Sequence, residues 1–277
     1  MADFLKASNI GFIGTGNMGQ AVIRALINTN RVPAARVYAT NRTQGKLQKL
    51  ADQLGIKILS NNEELLEVCD IVILGVKPQD FIGAIEPISS SFGSHHTVIS
   101  LLAGVSLKSL RKVLPNVKNL VRAMPNTAAL INQAVVGYAL AESALGIEAT
   151  VEDLLSVLGT VVRVQEGEEL EALTVSCSSG IGFVFELMIY WQEWLEEHGF
   201  EKDMARTMTV STFMGAALLG DQSPEISLQE LQNRVVSKKG VTAAGLDSMR
   251  ELEIERALRY SFEKAVLRDR EIGQTSV

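Results

Sequence analysis

The chain has 277 residues, 47% hydrophobic, 21% charged and 5% aromatic, with a net charge of −6. That length predicts about two domains, and an ordinary apolar fraction with dispersed glycines excludes collagen-like, low-complexity and disordered classes. The acidic balance argues against a broad nucleic-acid surface. Two cysteines and three histidines do not make a disulfide scaffold, a CxxC zinc site or a multi-histidine metal centre, so no metal is expected. No apolar run of signal-peptide length precedes Gly11, and no stretch approaches ~18 uninterrupted apolar residues, so a soluble, cytoplasmic chain with no membrane span is expected.

In chain order, strands are predicted at Ile10–Gly14, Arg36–Thr40, Ile56–Leu59, Ile71–Val76, Thr97–Leu101, Asn119–Ala123, Ala134–Ala139 and Val161–Val164. The first five are near-continuous apolar runs, as parallel strands covered on both faces require. Helical patterns at Met18–Thr29, Gln44–Leu54 and Asn62–Val68 separate the first of them. This alternation predicts a doubly wound, mostly parallel α/β sheet of Rossmann type over residues 1–165. After Gln165 the strand signal stops. Gly167–Ser178, Phe183–His198, Lys202–Gly220, Ser227–Val236, Thr242–Leu252 and Glu255–Arg270 all read as helices, giving an all-α domain over 166–277. Helix 202–220 is apolar around most of its circumference through Met208, Val210, Phe213, Met214, Ala217 and Leu218, and ~110 residues make a thin bundle to bury it. A second subunit is the expected cover.

Gly14-Thr15-Gly16-Asn17-Met18-Gly19 fits GxGxxG between the first strand and the first predicted helix. Gly14 allows a tight turn, Gly16 lets backbone approach a pyrophosphate and Gly19 lets the helix sit close to the strand, while Asn17 and Met18 open that helix. The helix N-terminus then offers free N–H groups to an anion. An ordinary βα turn with spare glycines is the bland alternative. About 20 residues on, an NAD site carries a carboxylate for the ribose 2′-OH. Here the second strand ends in Asn41-Arg42-Thr43, so NADP is favoured over NAD, with Arg42 placed to meet a 2′-phosphate and Asn41 and Thr43 beside it. Val76-Lys77-Pro78 ends the fourth strand, where open α/β sheets collect ligands, and Gly75 before it permits close backbone approach.

The start IGFIGTGNMG, the NRT turn, the VKP strand end and the run Arg122-Ala123-Met124-Pro125-Asn126-Thr127 together resemble the pyrroline-5-carboxylate reductases. The resemblance implies reduction of the cyclic imine 1-pyrroline-5-carboxylate to proline with a nicotinamide cofactor. It also implies a helical second domain that intertwines with a partner's, giving a homodimer that sometimes assembles further. By it, Met124, Pro125 and Asn126 lie near the nicotinamide, and Ala103 belongs to the cofactor face. The family's Ser-Pro-Gly-Gly-Thr-Thr substrate loop corresponds here to Ser237-Lys238-Lys239-Gly240-Val241-Thr242, with Thr242 bonding the imine nitrogen. Pro-Gly gives way to Lys238-Lys239, which removes a residue free to take positive φ and adds two cations beside an anion site. Either Lys238 or Lys239 pairs with the substrate carboxylate, or both face water, with solvent favoured for at least one of them. The family's Ser-Gly-Ser-Gly-Pro-Ala segment corresponds to Cys177-Ser178-Ser179-Gly180-Ile181-Gly182. An acidic residue near the substrate nitrogen falls at Asp221 or Glu225, of which Asp221 is preferred.

Other constellations are weaker. Tyr260 and Lys264 spell YxxxK but lie on the last helix, far from where short-chain dehydrogenases need the pair. His95-His96 has no acidic or cysteine neighbour, and Cys69 and Cys177 suit core or neutral roles. No lysine lies between Cys177 and Glu201, which argues against the β-hydroxyacid dehydrogenases. Two rivals stay open: a reductase of a different cyclic imine, and a non-catalytic cofactor-binding regulatory paralogue.

Overall fold

The computed structural model describes residues 2–144 and 146–275. An eight-stranded sheet is built from β1 (Ile10–Ile13), β2 (Val37–Thr40), β3 (Lys57–Ile58), β4 (Ile71–Leu74), β5 (Thr97–Ser100), β6 (Asn119–Met124), β7 (Ala134–Leu140) and β8 (Gly159–Arg163), in the order β3-β2-β1-β4-β5-β6-β7-β8. Every pairing is parallel except β6–β7, which is antiparallel through Val121↔Leu140 to Met124↔Gly137. Helices α1 (Ala2–Ala7), α2 (Asn17–Asn28), α3 (Gln44–Leu54), α4 (Asn62–Val68), α5 (Phe81–Ile85), α6 (Leu107–Val113) and α7 (Glu148–Leu155) connect or flank the strands. The predicted Rossmann-type architecture is therefore the observed one.

Side-chain alternation along the central strands fills two cores. Ile10, Phe12, Ile71, Ile73, Ile99 and Val121 point to one face and pack with α2 residues Val22, Ile23 and Leu26. Ile13, Val72, Leu74, Val98 and Leu120 point to the other and pack with Phe81, Phe92 and Leu110. Both faces being covered explains why these strands read as continuous apolar runs rather than alternating ones. Tyr138 is wholly buried, and its hydroxyl donates to Glu152 Oε1 at 2.7 Å.

The helical part comprises α8 (Glu168–Leu173), α9 (Gly180–Glu197), α10 (Lys202–Asp221), α11 (Leu228–Arg234), α12 (Val241–Glu251) and α13 (Ile254–Thr275). Between α8 and α9 the chain makes a π-helical turn, Thr174–Ser178, in which Ser179 N–H donates to the Thr174 carbonyl at 2.9 Å. Among the described residues two compact units result: one runs up to residue 181 and resumes at 265, and the other is residues 182–264. The last turns of α13 thus belong with the sheet.

Within unit 182–264 the apolar residues are poorly covered. Trp191 meets Phe213 edge-on at 5.3 Å and Phe183 lies 5.5 Å from Phe262. Yet Phe185, Tyr190, Trp194, Met214, Leu218 and Leu219 stay exposed, and α10 buries only Ala205 and Thr209. A single chain leaves this surface open. One helical run, Glu168–Glu197, is long and apolar enough to cross a membrane by length and composition, and 17% of its apolar 18-residue stretch is buried. Glutamates and small polar residues interrupt it, so it holds no unbroken apolar run of spanning length.

Candidate active site

Three glycines bring the ends of β1 and β4 and the start of α2 into backbone contact. Gly14 has φ +90°, and a Cβ there would stand 2.7 Å from Val76 N. A Cβ on Gly75 would stand 2.6 Å from the Gly14 carbonyl oxygen, and one on Gly19 2.9 Å from the same atom. The close approach expected of Gly75 is thus first of all an approach to Gly14. Gly16 differs: a Cβ there would meet only Gly75 O, at 3.7 Å, so this glycine borders open space.

Gly16 is also the N-cap of α2, with no side-chain cap. Gln20 N–H donates to Gly16 O at 2.9 Å, which leaves the preceding N–H groups of Asn17, Met18 and Gly19 at the open end of a 12-residue helix. The buried Thr15 hydroxyl has no hydrogen-bond partner. A glycine-lined notch, free N–H groups, a helix dipole and an orphaned hydroxyl fit a pyrophosphate.

Gly14 N–H donates to the Thr40 carbonyl at 3.0 Å, which places the end of β2 beside this loop. Asn41 Nδ2 donates to the Thr43 carbonyl at 3.1 Å, and Thr43 precedes α3. The Arg42 side chain is 86% exposed, with its guanidinium 3.7 Å from the Asp80 carboxylate. Lys77 is exposed and Val76 and Pro78 half-buried; Pro78 opens the short turn Pro78–Asp80.

Met124, Pro125 and Asn126 are buried at the end of β6. Asn126 accepts from Ala128 N–H at 3.1 Å and donates through Nδ2 to the Cys177 carbonyl at 3.2 Å. Ser178 Oγ donates to the Met124 carbonyl at 3.1 Å. The π-helical turn therefore fastens this strand end; such turns recur at functional sites. Ala103 is half-buried in the turn after β5.

Two residues upstream, Arg122 is buried in mid-sheet, between Glu166 Oε1 at 3.5 Å and Asp269 Oδ2 at 3.7 Å. Glu166 also accepts from Leu107 N–H at 2.6 Å. Burial raises the Asp269 carboxyl above its ordinary range against the pull of Arg122, and nearby Glu171 adds to the rise. Glu171 itself is held low, chiefly by its hydrogen bonds from Arg270. Gly104, at φ +75°, has no room for a side chain, since a Cβ would lie 2.6 Å from Gly273 N and 2.8 Å from Asp269 O. Sequence patterning passed over this cluster. An arginine inside an apolar strand was its one signal, and its carboxylates lie far along the chain.

The substrate-loop residues lie in the other compact unit. Asp221 is the exposed last residue of α10. Ser237, Lys238, Lys239 and Gly240 form the turn before α12, with Gly240 N–H donating to the Ser237 carbonyl at 2.9 Å. Gly240 is the N-cap of α12, followed by exposed Val241 and Thr242. Thr242 is therefore a first-turn helical residue. Lys239 takes φ +60° itself, so losing the family's glycine has not removed the left-handed residue but has strained it. Lys239→Gly should raise stability by about 0.5–1 kcal/mol in urea unfolding; a variant no more stable than the parent would show the turn relaxes otherwise. Among the described residues no hydrogen bond or ion pair joins Asp221 to this turn.

Of the set-aside residues, His96 is structural. It is buried, accepts from Gly93 N–H and engages the Leu66 carbonyl through Nε2, and burial lowers its pKa. Burial pushes the Cys69 thiol up to about 12. Lys264 stands over the ring of Tyr260, 5.2 Å from its centroid, on the exposed surface of α13.

Residues 9–104 match the family described as NADP oxidoreductase, coenzyme F420-dependent. Residues 167–272 match that described as pyrroline-5-carboxylate reductase dimerisation. Pyrroline-5-carboxylate reductase 1 of Bacillus spizizenii is 30% identical over 279 residues, covering 99% of this chain and 92% of the relative. The chain belongs to the pyrroline-5-carboxylate reductase family. The Pseudomonas aeruginosa pyrroline-5-carboxylate reductase is likewise 30% identical, over 98% of this chain and all of that one. Among solved structures, the Coxiella burnetii pyrroline-5-carboxylate reductase superposes with TM-score 0.87 at 28% identity, covering 96% and 98% of the two chains. The Plasmodium falciparum pyrroline carboxylate reductase with NADP bound has the same fold (TM-score 0.87, 21% identity, 97% and 99% covered). This family member is accordingly an NAD(P)-binding oxidoreductase with a family dimerisation domain, and the exposed apolar surface of α9 and α10 lies within that domain.

Proposed function

We propose that the protein reduces 1-pyrroline-5-carboxylate to proline with NADPH, as a cytoplasmic homodimer. The observation that carries this is the glycine-lined notch at the N-terminus of α2, next to an arginine-bearing β2 end, in a chain of this family. Residues 1–165 would hold the cofactor and 166–277 the substrate and the partner subunit. The cytoplasmic placement rests on the family alone.

In this reading Gly14, Gly16, Asn17, Met18 and Gly19 cradle the pyrophosphate, and Arg42, with Asn41 and Thr43, takes the 2′-phosphate. Val76, Lys77, Pro78 and Ala103 line the cofactor's course, and Met124, Pro125 and Asn126 seat its nicotinamide. The bound cofactor supplies the hydride, which adds to the imine carbon. The imine nitrogen, largely protonated near neutral pH, keeps its proton and becomes the ring amine. The protein's task is therefore positioning more than acid catalysis. Thr242 Oγ bonds the nitrogen and Asp221 lies toward it. Ser237 and Val241 present donors to the carboxylate at the open end of 11-residue α12, where Gly240 is the N-cap and leaves room for close approach, with Lys239 beside them. The exposed apolar surface of α9 and α10 favours burial against a second copy.

The test is NADPH oxidation with 1-pyrroline-5-carboxylate. Turnover is expected, with kcat reduced about tenfold or more in Thr242→Val, and with Arg42→Ala raising KM for NADPH about tenfold while sparing NADH. Lys238 and Lys239 favour a second reading, a different cyclic imine. Turnover on such an imine and none on 1-pyrroline-5-carboxylate would select it, and cofactor binding without turnover on any would select a regulatory paralogue.

A further inference from the structure

We propose that Asp80 sets the balance between the two nicotinamide cofactors by competing with a 2′-phosphate for Arg42. The inference rests on the reading that Arg42 meets that phosphate, and it gives a role to a carboxylate that no sequence pattern singled out.

Asp80 is held by a short, well-defined path from the cofactor loop. Its N–H donates to the Lys77 carbonyl at 2.9 Å, and Pro78 fixes the backbone between them. That turn continues β4, whose end is tied by Gly75 N–H to the Ile13 carbonyl at 2.9 Å. Arg42 arrives from the other side, just past Thr40, whose carbonyl accepts from Gly14 N–H. The two side chains thus flank one glycine-rich loop from the strands on either side of β1. They meet at 3.7 Å.

The pair is poised rather than locked. With 86% of the Arg42 side chain and 39% of Asp80 exposed, both charges stay hydrated and the pairing is weak. A cofactor with a free ribose 2′-OH leaves the pair intact, and the guanidinium is already neutralised. A 2′-phosphate has to draw the guanidinium to itself and then sits near a second anion. Dinucleotide sites that favour NAD place a carboxylate at the end of the second strand; here a carboxylate reaches the same neighbourhood from the end of β4. Asp80 therefore tempers a preference for NADPH that Arg42 would otherwise set higher.

The experiment is titration of NADPH and NADH fluorescence on the full chain without substrate, for wild type, Asp80→Asn, Arg42→Ala and the double variant. Asp80→Asn should tighten NADPH about fivefold and change NADH by less than about twofold, and the NADPH gain should vanish in the Arg42→Ala background. Unchanged or weaker NADPH binding in Asp80→Asn overturns the proposal, as does equal tightening of both cofactors or a gain that survives loss of Arg42. Arg42→Ala alone separates the two levels. If it leaves NADPH affinity untouched, the 2′-phosphate reading fails and this proposal with it. If it weakens NADPH alone while Asp80→Asn does nothing, only the role of Asp80 is lost.

Discussion

Arg122→Met should cost about 3–5 kcal/mol of unfolding free energy, read by urea denaturation at constant protein concentration. The Arg122 side chain is 5% exposed and its guanidinium faces two carboxylates, so its removal leaves Glu166 and Asp269 without their buried cation. The pH dependence adds a signature that a mere packing defect lacks. Burial holds the Asp269 carboxyl above its unfolded value of 3.8, with Arg122 opposing the rise. A carboxyl that is raised in the folded state contributes its full stability below the unfolded value and loses it as pH climbs through the folded one. Without Arg122 that folded value moves higher still, so the deficit of the variant should grow as pH rises from about 4 towards neutrality. A deficit that is flat over this range would show that Asp269 does not feel Arg122. Pairing Arg122→Met with Asp269→Asn should recover part of the loss, since the second change removes the stranded charge.

Gly14→Ala should weaken binding of both nicotinamide cofactors by more than about tenfold and lower stability by about 1–3 kcal/mol. The φ of +90° disfavours any side chain, and the added Cβ would press on Val76 N and Gly75 C at 2.7 and 2.8 Å. Those are backbone atoms of the β4 end, which cannot swing aside as a side chain does, so the notch itself must open. Gly83→Ala is the matched comparison. It lies exposed in α5 with nothing within 4 Å of a new Cβ, and should instead gain about 0.5–1 kcal/mol without touching cofactor affinity. Cofactor affinities in Gly14→Ala within twofold of the parent would sink the cradle reading.

The sheet was legible because its strands are covered on both faces. Ile71–Leu74 and Ile10–Ile13 show as unbroken apolar runs, and each was placed to within two residues. The antiparallel β6–β7 pair was not legible: one hydrophobic run, Ala134–Leu140, looks the same in either direction, and only the turn at Asn126–Asn132 decides. The π-helical turn at Thr174–Ser178 was equally hidden, since one extra residue per turn barely disturbs a helical pattern. At the candidate site, motif and register located the glycines and Arg42. Asp80 was not legible, because the meeting of two strand ends is a property of sheet order rather than of spacing. Lys239 shows a third kind of limit. Its sequence named a missing glycine, and the backbone kept the glycine's conformation anyway.

The buried ion cluster also sets a timetable. Arg122 leaves the ribosome roughly 150 residues before Asp269, which at ordinary synthesis rates is a wait on the order of ten seconds. During that interval the sheet can form, but one of its central strands carries a cation whose second counter-charge does not yet exist. Glu166 emerges about a hundred residues sooner than Asp269 and can hold the guanidinium in the meantime. A nascent chain that stalls short of Asp269 would therefore expose an almost finished domain with an incompletely neutralised interior, and quality-control proteases would meet it in that state.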